Sequence, residues 1–214
     1  GQIMEQEELK KHFGDKIFKQ ISETADKLGL ECYVVGGYVR DIFLNRPSKD
    51  IDVVVVGSGI KMAETLGKHL GRGAKVSVFK NFGTAQVKYH DTEVEFVGAR
   101  KESYSHDSRK PVVEDGTLED DQNRRDFTIN AMAYNGREGL VDAFGGMKDL
   151  ENRVIRCVGS AVNRFTEDAL RILRAVRFSA QLDFRIEDET YEAISLIAPN
   201  LEKVSRERIA TELT

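Results

Sequence analysis

The chain has 214 residues, with 32 Lys+Arg against 36 Asp+Glu for a formal net charge of −4, 40% apolar residues and no Trp. That much apolar material builds a core rather than a disordered chain, and no run approaches the roughly 20 apolar residues of a membrane span. Cys32 and Cys157 are too few for a disulfide framework or a four-ligand zinc site, no cleavable leader is visible, and the negative balance argues mildly against a nucleic-acid partner, so the expectation is a reduced, cytoplasmic protein with no membrane partner.

Both ends read as trimmed. Gly1 precedes Gln2 and the first Met is Met4, while Ile209 and Leu213 keep helical spacing up to Thr214 with no stop signal. The expectation is the N-terminal part of a longer protein.

Phe13, Ile17, Ile21, Ala25 and Leu28 recur at helical spacing and predict one amphipathic helix over residues 13–28. A short strand over 31–35 ends in Gly36-Gly37, and a helix over 38–44 closes at Asn45-Arg46-Pro47. Residues 51–56 are β-branched at every position but Asp52, the pattern of a strand covered on both faces. After Gly57-Ser58-Gly59 come a helix over 62–70 and strands over 75–79, 84–89 and 93–97, the last two joined as a hairpin through His90-Asp91. Residues 100–115 are polar and aperiodic, with Ser103, Ser105, Ser108 and Pro111, and predict a mobile loop. Helical periodicity follows over 128–134, 166–182, 188–197 and from 205 onward. The fold class is α+β: a mixed sheet with flanking helices over residues 1–139, then a helical segment over 140–214.

The chemistry begins at Asp50-Ile51-Asp52. Side chains two apart on a strand share a face, so both carboxylates point one way and Ile51 the other. Carboxylates converging at the edge of a buried strand repel unless a counter-charge joins them. A divalent cation removes that cost, and Mg²⁺ is usually held by one or two carboxylates plus substrate phosphates. Upstream, Gly36-Gly37 lies at a strand-to-helix turn, where backbone approaches a phosphate closely and free N–H groups favour an anion; Arg40, one turn on, adds a charge-assisted contact. The turn lacks the third glycine of a dinucleotide fingerprint and the Gly-Lys-Ser/Thr of a P-loop.

Val34-Val35-Gly36-Gly37-Tyr38-Val39-Arg40-Asp41 followed by Lys49-Asp50-Ile51-Asp52-Val53 resembles the signature of the class II tRNA nucleotidyltransferases and bacterial poly(A) polymerases, members of the DNA polymerase beta-like nucleotidyltransferase superfamily. Arg124-Arg125-Asp126-Phe127-Thr128-Ile129-Asn130-Ala131 resembles a second family motif, and Glu167-Asp168-Ala169-Leu170-Arg171, continuing to Arg174 and Arg177, a third. The resemblance implies a catalytic head over 1–139 and an all-helical neck over 140–214, truncated before the helical body and tail. It implies that Asp50 and Asp52 bind two Mg²⁺ ions and that a third carboxylate stands on a neighbouring strand. Glu95 fits that place best, with Glu93 on the same face as the alternative. Arg125 is assigned to the triphosphate, the segment from Asp126 to Asn130 to the ribose, and Asp168 with Arg171 to the base edge of CTP or ATP. Glu167 is assigned to orienting Arg171, and Arg174 and Arg177 to phosphates or RNA, while Leu170, Leu173 and Val176 read as core.

The function implied is template-independent transfer of CMP and AMP from CTP and ATP to the 3′-hydroxyl of a tRNA, releasing pyrophosphate. A poly(A) polymerase shares the motifs, although Phe82-Gly83-Thr84 replaces the basic element expected of those enzymes; an enzyme restricted to C- or A-addition and a non-catalytic RNA- or nucleotide-binding module are the other readings. The net charge hides local contrast. Residues 114–121 carry five carboxylates and no cation, whereas residues 151–180 carry six Arg against three acids, which removes the argument against a nucleic-acid partner.

Overall fold

The chain opens with α1 (Gln6–His12), which the apolar spacing does not announce, and α2 (Lys16–Leu28), the helix expected over 13–28. A turn at Phe13-Gly14-Asp15 separates them, and Phe13 stacks on Tyr134 with ring centroids 4.2 Å apart. Then follow β1 (Glu31–Val35), α3 (Gly37–Phe43), β2 (Asp50–Val56), α4 (Gly59–Leu70), β3 (Ala74–Phe79), a 3₁₀ turn at Lys80–Phe82, β4 (Thr84–Tyr89) and β5 (Thr92–Gly98). The computed structural model describes residues 6–46, 48–103 and 112–203. Within the segment predicted as a loop, β6 (Arg100–Ser103) pairs antiparallel with β7 (Val112–Asp115); the residues between them lie outside the described ones. The helix expected from residue 205 also lies outside them.

The next element, α5 (Leu118–Asn123), starts from a reciprocal cap: the Asp120 N–H donates to the Thr117 hydroxyl and the Thr117 N–H to the Asp120 carboxylate. The helix expected over 128–134 is instead a 3₁₀ turn, Thr128–Asn130, followed by β8 (Ala133–Asn135). Tertiary pairing overrides the periodicity, because β8 lies antiparallel to β1 with Val34 opposite Tyr134. The hairpin partner of β8 is β9 (Gly139–Val141).

Two compact units divide the chain. Residues 1–124 and 132–141 form the first, and residues 125–131 and 142–214 the second. Among the described residues of the first unit, seven strands form one sheet in the order β3-β4-β5-β2-β1-β8-β9, antiparallel except for the parallel pair β2–β5. Ile51, Val53, Val55, Val94 and Phe96 are buried on the face that carries α2 and α4. Fully burying one such side chain contributes about 1.5–3 kcal/mol. On the opposite face Tyr33, Val35, Val54, Ala99 and Ala133 form a smaller core with Leu118 and Val141. That core covers only the C-terminal half of β2. Its first residues, Asp50 and Asp52, remain exposed, so the run predicted to be covered on both faces is open at one end.

The second unit contains α6 (Gly146–Glu151), β10 (Val154–Ile155), α7 (Ala161–Glu167), α8 (Leu170–Leu182), β11 (Arg185–Ile186), α9 (Asp188–Ile197) and a closing 3₁₀ stretch, Ala198–Lys203. Among its described residues the regular structure is helical apart from the two-residue parallel pair β10–β11 and a bridge between Phe127 and Cys157. The single helix expected over 166–182 is broken at Asp168, whose φ of −152° and ψ of 103° are extended. The buried stripe of α8 is Leu170, Ile172, Ala175, Phe178 and Leu182; Val176, expected in the core, is 49% exposed.

Candidate active site

In the first unit, β2 and β5 run parallel with Asp50 opposite Glu93 and Asp52 opposite Glu95. Neighbouring strands lie about 4.8 Å apart, so four carboxylates crowd onto one face of two strands. The geometry separates the two glutamates. Glu93 is engaged by β4: the Lys88 ammonium lies 3.1 Å from Oε1, and the Gln86 amide donates to Oε2 at 3.2 Å. Glu95 is exposed, and no hydrogen bond or ion pair among the described residues engages its side chain. Asp50, Asp52 and Glu95 are therefore presented to solvent from two adjacent strands.

Such a set fits Mg²⁺, which takes oxygen ligands and completes its shell from substrate phosphates and water. It does not fit a metal caged by protein alone, since among the described residues no three His, Cys, Asp or Glu side chains converge on one point.

The glycine turn sits in the same unit. Gly36 has φ 75° and ψ −142°, a conformation that any Cβ would strain; its N–H donates to the Met132 carbonyl at 3.2 Å and its carbonyl accepts from the Arg40 N–H at 3.2 Å. The Arg40 guanidinium folds back across Gly37, 3.2 Å from where a Cβ would stand, and its Nε donates to Asp41 at 3.0 Å. Arg40 thus lies over the turn, with its side chain only 11% exposed. Tyr38, on the same short helix, is hydrogen-bonded to His12 Nε2 at 2.9 Å, and burial together with the nearby Asp15 charge pushes its phenol up to about 12.

The remaining predicted residues belong to the second unit. Asp126 is buried, and its Oδ1 accepts from the Phe127 N–H at 2.7 Å and the Asn130 amide at 3.2 Å. Its Oδ2 meets Arg174 Nη2 at 2.7 Å. The second motif is thereby tied to α8 through an arginine that the sequence reading assigned to phosphates or RNA. Arg125 is half-buried beside it. Phe127 packs edge-on against Phe178, over whose ring stand Arg174 and Arg177, 5.7 and 4.9 Å from the centroid.

At the α7–α8 break, the Asp168 carboxylate accepts the Leu170 N–H at 3.1 Å and so starts α8. Glu167 bridges two arginines, with Oε1 at 2.7 Å from Arg164 Nη2 and Oε2 at 2.8 Å from Arg171 Nη1. Arg171 Nη1 also donates to the Arg164 carbonyl at 3.1 Å. The sequence reading missed Arg164, although its place three residues before Glu167 and seven before Arg171 is a helical spacing that marks one face. It also missed Asp149, which accepts from the Thr128 hydroxyl at 2.6 Å and pairs with Arg156 at 3.1 Å. Cys32 and Cys157 are buried, and burial pushes both thiols up to about 12, so neither is a nucleophile near neutral pH.

Residues 32–156 match the family described as poly A polymerase head domain, more than half of the chain. The chain belongs to this family. Residues 183–214 also match a second family description, a probable RNA and SrmB-binding site of polymerase A. Among curated relatives of the family, the CCA-adding enzyme of Lactobacillus delbrueckii subsp. bulgaricus is 41% identical over 92% of the chain and 50% of its own length. Among solved structures, a tRNA-processing enzyme in an apo form superposes with a TM-score of 0.80 at 36% identity, over 92% of this chain and 50% of that one. A tRNA nucleotidyltransferase complexed with a primer tRNA and an incoming ATP analogue does so with a TM-score of 0.78 at 37% identity, over 90% and 54%. The chain spans about half the length of the curated relatives it matches. No helix among the described residues is long and apolar enough to cross a membrane.

Proposed function

We propose that this chain carries the catalytic head and nucleotide-selecting neck of a CCA-adding tRNA nucleotidyltransferase, a cytoplasmic enzyme that transfers CMP and AMP from CTP and ATP to a tRNA 3′-end. The observation that carries this reading is the open face on which Asp50, Asp52 and Glu95 stand in adjacent register, within a chain that belongs to the family. The likeness to a tRNA nucleotidyltransferase complexed with primer tRNA and an ATP analogue supports the same substrates.

In this reading the 3′-oxygen of the RNA attacks the α-phosphorus of the nucleotide. The new P–O bond replaces the one to pyrophosphate, which leaves, and the hydroxyl proton passes to Glu95 or to solvent. Asp50 and Asp52 would hold two Mg²⁺ ions, which when bound make the attacking hydroxyl more acidic and neutralise charge growing on the leaving group. The Gly36-Gly37 turn and Arg40 serve the triphosphate, as does Arg125. Asp126 locks the second motif against α8 through Arg174 and holds the Asn130 amide, and the segment from Asp126 to Asn130 serves the ribose.

Selection falls to Asp168 and Arg171. Cytosine and adenine both present an exocyclic amino group that a carboxylate accepts, where uracil and guanine present a carbonyl. Glu167 holds the Arg171 guanidinium at 2.8 Å, and in this reading the Asp168 acceptor and the Arg171 donors together read the base edge without a nucleic-acid template. Arg174 and Arg177 keep the helix face positive for phosphates or RNA.

The test is to incubate the enzyme with Mg²⁺, a tRNA lacking its last three nucleotides, and single nucleotides. Stepwise addition of two C and one A is expected; A-tailing of arbitrary RNA would make it a poly(A) polymerase instead. Arg171→Ala is expected to admit UTP and GTP while retaining Mg²⁺ dependence, and unchanged selectivity would remove the selection role.

A further inference from the structure

The carboxylate face does not end at β5. The ladder continues it across β4 and β3, with Gln86 opposite Glu95, Lys88 opposite Glu93, Ser77 opposite Gln86, Lys75 opposite Lys88 and Phe79 opposite Thr84. The side chains share the acids' face, as the Lys88–Glu93 and Gln86–Glu93 contacts require. Ala85, Val87 and Val76 point the other way, toward α4. This outer half of the face is polar and basic rather than apolar.

At its end stand the two large apolar side chains most exposed among the described residues of the first unit, Phe79 at 47% and Phe82 at 67%. Phe79 precedes and Phe82 ends the 3₁₀ turn that holds Lys80, and Gly83 closes the turn in the left-handed region, φ 65°. The Arg100 guanidinium lies across that glycine, 2.9 Å from where a Cβ would stand. Two unburied rings, two cations and an open polar strand face make the combination by which proteins hold single-stranded nucleic acid: rings stack on bases, and cations track phosphates.

We propose that Phe79 and Phe82, with Lys80 and Arg100, form a stacking platform for the unpaired RNA end that leads into the carboxylates. The platform rests on the reading of Asp50, Asp52 and Glu95 as the reaction centre and adds the path of the acceptor strand to it. Phe79 lies two strands and two residues from Glu95, about 12 Å between Cα atoms by ladder spacings. At about 3.4 Å per stacked nucleotide, the ring meets a base three to four positions behind the reacting 3′-end. Charge agrees with that direction, since the acids gather on β2 and β5 while Lys75, Lys80, Lys88 and Arg100 lie to the β3 side.

The chain has no Trp, so Phe82→Trp creates a single emitting reporter. In this 214-residue chain, a tRNA lacking its last three nucleotides is expected to quench that emission, whereas CTP alone is not. Tyr89→Trp, on the opposite face of β4, is expected to stay unquenched. In elongation assays the double substitution Phe79→Ala and Phe82→Ala is expected to raise KM for the tRNA about fivefold or more, with KM for CTP within about twofold. Phe82→Tyr, which keeps a ring, is expected to retain the wild-type KM for tRNA. Unchanged Phe82→Trp emission at saturating tRNA, or wild-type KM in the double variant, would overturn the platform. If the wild-type protein elongates no RNA, the functional reading falls, and the emission experiment still decides whether RNA reaches these rings.

Discussion

Asp52 and Glu95 differ from their neighbours Asp50 and Glu93 by one turn of the strand pleat, and that difference has a measurable consequence. Glu93 spends its charge on Lys88, whereas Glu95 faces solvent. Glu95→Gln and Asp52→Asn are each expected to lower kcat by about two orders of magnitude or more, while Glu93→Gln stays within about threefold of wild type; steady-state elongation of tRNA measures all three. Equal losses at positions 93 and 95 would remove the distinction. The Asp-Ile-Asp pattern is legible because alternation and the β-branched run after it are local facts. Glu93 and Glu95 are not separable that way, since both satisfy the same alternation. What separates them is the cation and amide that β4 brings alongside one of them, and strand pairing is not written in the spacing. The Arg174–Asp126 pair is hidden for the same reason, since the two residues lie 48 apart in the chain.

Helices and strands were legible wherever local pattern and tertiary demand agree, as in β2, α4 and the β4–β5 hairpin. The failures share a cause. Residues 128–134 have helical periodicity, but the neighbouring β1 offers an unpaired edge, and pairing with it outweighs propensity. The break between α7 and α8 was invisible because Glu167-Asp168-Ala169-Leu170 contains no Gly or Pro; the signal is Asp168 itself, which satisfies the Leu170 N–H and so begins a new helix. Helix-to-sheet packing yields a sharper expectation at Gly67 on α4, where an added Cβ would collide with Val76 Cγ2 of β3. Gly67→Ala is expected to destabilise the protein by about 1–3 kcal/mol in urea unfolding, with partial recovery in the Val76→Ala background. At the start of α9, burial raises the Glu187 pKa, but hydrogen bonds from Thr190 and the Glu189 and Thr190 N–H groups, with Arg156 nearby, outweigh it and leave the carboxyl below its ordinary value. A depressed folded-state pKa stabilises above the unfolded value and is lost as pH falls. Glu187→Gln is therefore expected to melt below wild type at pH 7, with the two curves converging as pH drops below about 4.

The whole chain divides less simply than its sequence suggests. Composition and motif order place one boundary near residue 139, whereas the path leaves the first unit at Arg124, returns at Met132 and leaves again after Val141. The segment from Arg125 to Ala131 is linked to the second unit by the Phe127–Cys157 bridge, the N–H of Thr128 on the Arg156 carbonyl at 2.9 Å, and the Asp126–Arg174 pair. A fragment ending at Val141 is thus expected to strand Phe127 and Ile129, both fully buried in the intact chain, and to bind a hydrophobic dye that the intact protein does not. A fragment that melts cooperatively and binds no dye would contradict the division. The same crossing orders events during synthesis. At about 5–20 residues per second, Asp126 is joined to the chain roughly 2–10 seconds before Arg174 exists to neutralise it. Until α8 is made, the seven-residue segment that carries the second motif lacks the arginine that holds it, so its ordering waits on residues translated well after it.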